Sequence, residues 1–266
     1  MKRLEPLKKV VAEALRELDG VLALRAKWGG VAPHLFKGQE ELEELAIAPK
    51  YPLPQTLRLI QRAHPESRLG LVVRGCEERG LIEMAKRNQI DLERIRVIGL
   101  ACTAEEAQDC RCARPYPGLL TDIIVGEKTE AVPNELVEEF LSKGREERLE
   151  FWKKQFAKCI KCYGCRNACP QCFCPECTLE DEIWVETGRI PPPFPSFHLV
   201  RAMHTVGKCV GCRECELSCP ANIPLTTLYA LIRREVEEMF GYETGGDLEA
   251  QPPLVLPMEL ESGDGI

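Results

Sequence analysis

Two short cysteine runs constrain this chain more than any other feature of its sequence. Residues 159–170 read CIKCYGCRNACP and residues 209–220 read CVGCRECELSCP. Both follow the pattern C-x2-C-x2-C-x3-C-P, in which three closely spaced thiolates can surround one face of an iron–sulfur cube. A 4Fe–4S cluster needs four soft thiolates, one on each iron, so a fourth cysteine must come from elsewhere. The sequence therefore predicts two 4Fe–4S clusters and a chain that transfers electrons.

The fourth cysteine of each run indicates how the two clusters share the eight ligands. In two-cluster ferredoxins this cysteine binds the other cluster, because the following proline turns the chain away. On that pattern, one cluster is held by Cys159, Cys162, Cys165 and Cys219, and the other by Cys209, Cys212, Cys215 and Cys169. Zinc is the alternative, since C-x2-C pairs also form tetrahedral sites, but zinc does not need four cysteines at this stagger.

Composition and the start of the chain exclude several other classes. The 266 residues contain fifteen cysteines, several times the ordinary usage, and metal binding is the economical explanation. The opening MKRLEPLKKV has no apolar signal region, and no segment is long and apolar enough to span a membrane. We therefore expect a cytoplasmic protein, in which disulfides do not persist. The net charge of −7 argues against a nucleic-acid partner.

The first half of the sequence predicts a small α/β domain over residues 1–131. RLGLVVRG (68–75) and RIRVIGLAC (94–102) are typical of buried strands, and the segment between them has helical periodicity at 81–89. A strand–helix–strand unit of this length indicates a parallel pair, so we expect a partly parallel sheet. TDIIVG (121–126) is a candidate for a further strand.

The second half predicts a different architecture. Residues 132–156 have the periodicity of one long connecting helix, and residues 157–242 combine cysteine clusters with helices. We expect this region to form a helix-rich dicluster ferredoxin domain, followed by an extended tail at 243–266. The predicted fold class is therefore a two-domain α+β protein.

Four further cysteines lie in the first half. Cys76 and Cys102 each follow the carboxyl end of a predicted strand, where α/β folds place their sites, and Cys110 and Cys112 lie on the loop that follows. Four thiolates that converge there would hold a third 4Fe–4S cluster. The alternatives are structural cysteines at 76 and 102 with a reactive pair at 110 and 112, or a zinc site.

The last three cysteines, Cys172, Cys174 and Cys177, follow the first run directly. They could bind a further iron–sulfur unit with an outside ligand, or one of them could replace a presumed ligand of the first run. They could also form a zinc knuckle with His198 or His204. The sequence leaves these alternatives open.

The quoted segments resemble known redox proteins. Over roughly residues 20–130, VVRGCEERGLIEMAKRNQ, RIRVIGLAC and CRCARPYPGLLTDIIVG resemble the beta-subunit family of deazaflavin-coenzyme-reducing hydrogenases and formate dehydrogenases. The paired runs and the following IPLTTLYALIRREV resemble the helical ferredoxin domains of heterodisulfide-reductase-type subunits. This resemblance implies an anaerobic multi-subunit complex in which electrons pass along clusters. It also implies FAD as a further cofactor, since some beta subunits bind it.

We therefore expect an iron–sulfur electron-transfer subunit that relays electrons between redox partners such as a formate dehydrogenase, hydrogenase or heterodisulfide-reductase-like module. No paired carboxylates, nucleophile–base pair or phosphate-binding glycine loop stands out, so we predict no catalytic residue. The alternative is an enzyme: a flavin-containing beta subunit that itself reduces or oxidises a deazaflavin-type coenzyme. A zinc-organised scaffold is a third possibility.

Overall fold

A six-stranded sheet forms the centre of the first half of the chain. The computed structural model describes residues 2–121 and 123–253. The strands are β1 (Gly20–Lys27), β2 (Gly30–Phe36), β3 (Leu45–Ala46), β4 (Leu69–Val73), β5 (Ile95–Leu100) and β6 (Ile124–Val125). Their order is β2-β1-β4-β5-β6, with β3 also paired to β1. β1 pairs in parallel with β4, β4 with β5 and β5 with β6, whereas β2 and β3 are antiparallel to β1. The sheet is thus partly parallel, as predicted.

Helices cover both faces of this sheet. The helices of the first half are α1 (Leu4–Ala14), α2 (Leu53–Ala63), α3 (Gly75–Ala85) and α4 (Ala104–Cys110). α1 contributes Leu7 and Val11 to a core that includes Val72 of β4. Neighbouring residues of the same strand, Leu71 and Val73, belong to a second core on the opposite face with α2 and α3. All five residues of β4 are buried, because side chains alternate between two covered faces.

The second half consists of short helices and loops. The helices are α5 (Glu135–Leu141), α6 (Arg145–Phe156), α7 (Gly164–Asn167), α8 (Ser196–Met203), α9 (Glu214–Leu217) and α10 (Leu225–Phe240). Phe156, Leu225 and Tyr229 form a core against which cysteines of both runs pack. This half is helix-rich and the first half is α/β, so the predicted α+β class is confirmed.

The prediction of one continuous helix over 132–156 is wrong. α5 ends at Leu141 and α6 begins at Arg145, with extended backbone at Gly144 between them. Phe140 of α5 packs edge-to-face on Phe151 of α6, at 5.3 Å between ring centroids. The glycine and this aromatic contact favour two packed helices over one extended helix.

The prediction of an extended tail from residue 243 is wrong for its first residues. Thr244 is buried, and the amide of Gly245 donates to the buried carboxylate of Glu83 on α3 at 2.7 Å. The Tyr242 hydroxyl donates to the same carboxylate at 2.6 Å. The start of this segment is therefore fixed on the α/β half, and residues 254–266 lie outside the described residues.

The two halves contact each other through polar side chains. Arg79 of α3 donates to the carbonyl of Val210 at 3.2 Å, and Gln171 donates to the carbonyl of Gly80 at 3.0 Å. Both donors are buried. The domain boundaries stay a prediction, but these contacts place the second cysteine run directly beside α3. Within the described ranges, no helix has the length and apolar character to cross a membrane.

Candidate iron–sulfur sites

The two cysteine runs have the same backbone conformation. Residues 161 and 163 of the first run adopt left-handed φ angles of 54° and 57°. The matching residues of the second run, Gly211 and Arg213, have φ angles of 68° and 69°. A left-handed residue between successive cysteines reverses the chain locally, so the three thiols can face a common point. A one-turn helix, α7 or α9, then carries the third cysteine of each run.

The first cavity contains the four thiols predicted for one cluster. It has a volume of about 350 Å³ and is lined by Cys159, Cys162 and Cys165 of the first run and by Cys219 of the second. Apolar side chains, including Phe197, line the remainder. Burial raises the pKa of both Cys159 and Cys165, so neither thiol ionises readily by itself. A bound metal would favour the thiolate, because metal coordination displaces the proton.

The second cavity contains the other predicted set. It has a volume of about 720 Å³ and is lined by Cys209, Cys212 and Cys215, with Cys169 contributed by the first run. Cys172 does not line it. Burial raises the pKa of Cys215 well above its ordinary value, and the Cys212 thiol raises it further. The structure thus offers Cys169, not Cys172, as the fourth thiol of this group.

The structure brings three of the four N-terminal cysteines together at the carboxyl edge of the sheet. Cys76 lies in the first turn of α3 after β4, Cys102 follows β5, and Cys112 follows α4. Burial and the nearby Cys76 thiol raise the pKa of Cys102 to about 12, with a further contribution from Cys112. Cys110 lines the neighbouring cavity of the second run. It lies at the junction between the two groups.

Gly75 allows the loop that carries Cys112 to lie against the start of α3. The loop carrying Cys112 crosses the start of α3 so closely that a Cβ on Gly75 would overlap the carbonyl oxygen of Arg114. The buried carboxylate of Glu78, also on α3, accepts hydrogen bonds from the amides of residues 118, 119 and 120 at 2.8–3.1 Å. These contacts hold the loop after Cys112 against the helix that carries Cys76.

A buried lysine connects the N-terminal cysteines with the second run. The Lys50 ammonium lies 3.0 Å from Glu214 Oε1 and donates to the carbonyl of Cys212. Burial lowers the pKa of Lys50, but the adjacent Cys76, Glu214 and Cys212 outweigh it and raise the pKa well above its ordinary value. Lys50 is therefore a fixed positive charge between the two groups of thiols. Sequence reasoning missed it, because it lies in the proline-rich PKYPLP segment, which suggested only a loop.

A second buried cation lies among the cysteines of the second half. Arg201 of α8 donates to the carbonyl of Cys165 at 2.7 Å and to Cys172 Sγ at 3.1 Å. The neighbouring Cys172 and the nearby Arg201 lower the pKa of Cys169 below its ordinary value. Arg201 was not predicted either, since one arginine in an amphipathic helix carries no local signal.

The three trailing cysteines line a third cavity. It has a volume of about 890 Å³ and includes Cys172, Cys174, Cys177 and His204 in its lining. His198, the other histidine considered for these cysteines, lines the first cavity and stacks on Phe156 at 3.8 Å between ring centroids. Burial and Arg201 lower the pKa of His198 to about 4. His198 is a packing residue, whereas His204 accompanies the cysteines.

The distances between the potential metal ligands distinguish a site for a single metal ion from a site for an iron–sulfur cluster. Within residues 2–121 and 123–253, no three His, Cys, Asp or Glu side chains converge closely enough to share a single metal ion. An iron–sulfur cluster has a different requirement, because each thiolate binds a different iron and the ligands stand farther apart. Each of the first two cavities contains its four predicted thiols, the donor set that such clusters use, and Cys110 is a fifth thiol in the lining of the second.

The fold and these cavities define an α+β protein in which cysteines from distant segments gather into separate groups. Over 135 residues the chain is 42% identical to the F420-dependent formate dehydrogenase subunit beta of Methanocaldococcus jannaschii, a match that covers 50% of this chain and 35% of that protein. It is also 42% identical over 130 residues to the F420-dependent formate dehydrogenase 1 subunit beta of Methanococcus maripaludis, covering 48% of this chain and 33% of that protein.

The matched segment thus spans about half of this chain and a third of each relative. Over that half, the chain is homologous to beta subunits of F420-dependent formate dehydrogenases, which confirms the predicted resemblance to the beta-subunit family. No family model matches the chain.

Proposed function

We propose that this chain is an iron–sulfur electron-transfer subunit of a multi-subunit redox complex, of the kind to which formate dehydrogenase beta subunits belong. One observation carries the proposal. The eight cysteines of the two runs line two separate cavities, each with three thiols from one run and one from the other. This exchange of the fourth cysteine is the arrangement of two-cluster ferredoxins. Chance packing of eight thiols gives no reason for it.

The residues fit three clusters. The first would be held by Cys159, Cys162, Cys165 and Cys219, the second by Cys209, Cys212, Cys215 and Cys169, and the third by Cys76, Cys102, Cys112 and Cys110. When bound, such clusters supply reversible one-electron transfer without bond rearrangement in the protein. The third assignment requires the Cys110 thiol to turn from the rim of the second cavity toward the sheet edge.

Charged side chains between the groups support an order for them. Cys76 and Cys212 lie close enough to interact electrostatically, and both interact with Lys50. The first and second groups meet around Arg201, which is near Cys165 and Cys169. The chain therefore supports a sequence that runs from the sheet edge to the second run and then to the first run. The contact of Arg79 with the carbonyl of Val210 supports this order, because it joins α3 to the second run.

The surroundings of the thiols also suit a charged cofactor. Clusters with four thiolates carry negative charge, which is costly to bury without compensation. Arg201, Arg213 and Arg233 line the second cavity, and Lys50 lies between it and the sheet edge. These cations lower the cost of burying negative charge and influence the reduction potential. Apolar residues such as Phe197 limit the access of water to the first cavity.

The relatives' names indicate the kind of partner. They are beta subunits of F420-dependent formate dehydrogenases, so we propose that this chain binds a catalytic redox subunit and passes electrons to a second partner. The alternative is that the chain itself binds FAD and reacts with a deazaflavin-type coenzyme. Anaerobic co-purification from the native cell identifies the partner. Acid precipitation distinguishes the two functions, because yellow flavin in the supernatant would favour the enzyme.

Cys162→Ser tests the relay directly. It removes one thiol of the first group, and we expect one cluster to be lost or altered in the EPR spectrum of the reduced protein. Electron transfer through the complex should stop, while the partner's own substrate chemistry with an artificial acceptor continues. Ile183→Ser is the control, an exposed residue of the same half that lines neither cavity of the two runs. Coupled electron transfer at the full rate in Cys162→Ser would show that the relay is wrong.

A further inference from the structure

The cavity at the trailing cysteines has the composition of a fourth metal site. Cys172, Cys174 and Cys177 lie within six residues of sequence, and all three line it together with His204 from the end of α8. Three thiols and one imidazole form a donor set that can complete an iron–sulfur cluster, since histidine replaces cysteine in some such centres.

Two buried polar atoms without partners lie between this cavity and the second one. Gln171 is only 3% exposed and borders both cavities, and its Oε1 has no hydrogen-bond partner among the described residues. Arg201 is equally buried and also borders both, and its Nε likewise lacks a partner within the described part of the chain. Unpaired buried polar groups are rare and costly, so bound groups in the two cavities are a physical explanation for them.

The charges around the cavity favour an anionic occupant. Arg201 and Lys208 both line it. Arg166, a third lining cation, is already neutralised by Glu180 at 2.6 Å. The carboxylate of Glu176 is also in the lining. Arg201 already donates to Cys172 Sγ at 3.1 Å, which is the contact that stabilises a thiolate ligand.

We propose that Cys172, Cys174 and Cys177, with His204 as the fourth ligand, hold an additional iron–sulfur cluster. The site is distinct from the two cavities of the runs, because none of its four ligands lines either of them. It adjoins the second group, because the amide of Cys172 donates to the carbonyl of Cys169 at 3.1 Å. Cys174 and His204 are exposed, so the cluster would lie at the protein surface. Its role in electron transfer rests on the proposed relay, but its presence does not.

The test compares the metal content of full-length variants prepared anaerobically and reconstituted with iron and sulfide. Cys174→Ser combined with Cys177→Ser removes two ligands and spares Cys172, which contacts Cys169. We expect this variant to lose the iron and sulfide of one cluster, about two to four irons per chain. The EPR signals of the other clusters should remain. Thr178→Ala is the control, because Thr178 lines the same cavity without offering a ligand of this kind, and it should retain all its iron.

His204→Cys tests the fourth ligand. We expect it to keep the full iron content and to lower the reduction potential of one cluster, because thiolate ligation gives lower potentials than imidazole ligation. In the wild-type chain labelled with ¹⁵N-histidine, ENDOR spectroscopy of the reduced protein should show nitrogen coupling that His204→Cys abolishes. The coupling in the wild-type chain is measured without any variant, and its loss in His204→Cys assigns it to His204.

Three results would overturn the proposal. The double serine variant could retain all its iron, it could lose one zinc instead of iron, or wild-type protein could show no nitrogen coupling. Failure of the proposed function gives a different result. In that case the EPR spectrum of the wild-type protein would show no cluster signals at all. A protein with signals only from the other groups would contradict this site alone.

Discussion

Replacing Lys50 with methionine should lower the reduction potentials of the clusters on either side of it. Lys50 carries a buried positive charge next to Cys76 and Cys212, which belong to different groups of predicted ligands. A positive charge stabilises the reduced, more negative form of a cluster, so its removal makes reduction harder. Methionine fills a similar volume and keeps the apolar part of the packing, which limits the structural effect of the change.

Coulomb's law gives the size of this effect. At about 7 Å and an effective dielectric constant of about 20, one unit charge contributes about 2 kcal/mol, roughly 90 mV for one electron. Glu214, whose carboxylate lies 3.0 Å from the Lys50 ammonium, acts in the opposite sense. Glu214→Gln should therefore raise the potentials. The double variant should fall near the wild type, because it removes both charges.

An anaerobic redox titration followed by EPR measures these potentials in the full-length protein. Lys27→Met is the matched control, since Lys27 is also paired with a glutamate, Glu44 at 3.2 Å, but lies at the hairpin away from the cysteines. It should leave every potential unchanged. If Lys50→Met shifted none of the potentials, or shifted them upward, the placement of Lys50 between two clusters would be refuted.

Three further changes test the packing around the sites. Gly75→Ala should lower the free energy of unfolding by about 2 kcal/mol and weaken the EPR signal of the N-terminal cluster, because the new Cβ overlaps the Arg114 carbonyl. An unchanged midpoint of urea unfolding would contradict this. The pKa of His198 falls from 6.5 to about 4 on folding, so the stability that neutral His198 contributes is present above pH 6.5 and decreases toward pH 4. The loss should be about 2 kcal/mol at pH 5 relative to pH 8, and His198→Leu should flatten the profile. Glu83→Gln weakens two hydrogen bonds, from Tyr242 and Gly245, so limited proteolysis at residues 242–246 should become faster. An unchanged cleavage rate would show that Glu83 does not hold this segment in place.

The sequence alone was sufficient for the features that local pattern encodes. The apolar runs at 68–75 and 94–102 become β4 and β5, which pair in parallel as predicted. The spacing within each cysteine run predicts that three thiols surround one face of a cluster, and the left-handed residues between the cysteines are consistent with that arrangement. The partly parallel sheet followed by a helix-rich half could likewise be read from periodicity and cysteine spacing.

Features that depend on contacts between distant segments required the tertiary structure. The helix predicted over 132–156 divides at Gly144 because Phe140 and Phe151 pack on each other. The spacing of apolar residues in the sequence does not reveal such contacts. The alternatives for the trailing cysteines also depended on packing. Cys169 lines the second cavity and Cys172 the third, although they are three residues apart.

The charged residues among the thiols also could not be predicted from local sequence. Lys50 and Glu214 are 164 positions apart in the sequence and meet only in the folded chain. Nothing near either residue in the sequence indicates its partner. The grouping of thiols within a run follows from the reach of a few peptide units. The electrostatic environment of those thiols follows from which surfaces become buried together, and only the folded chain determines that.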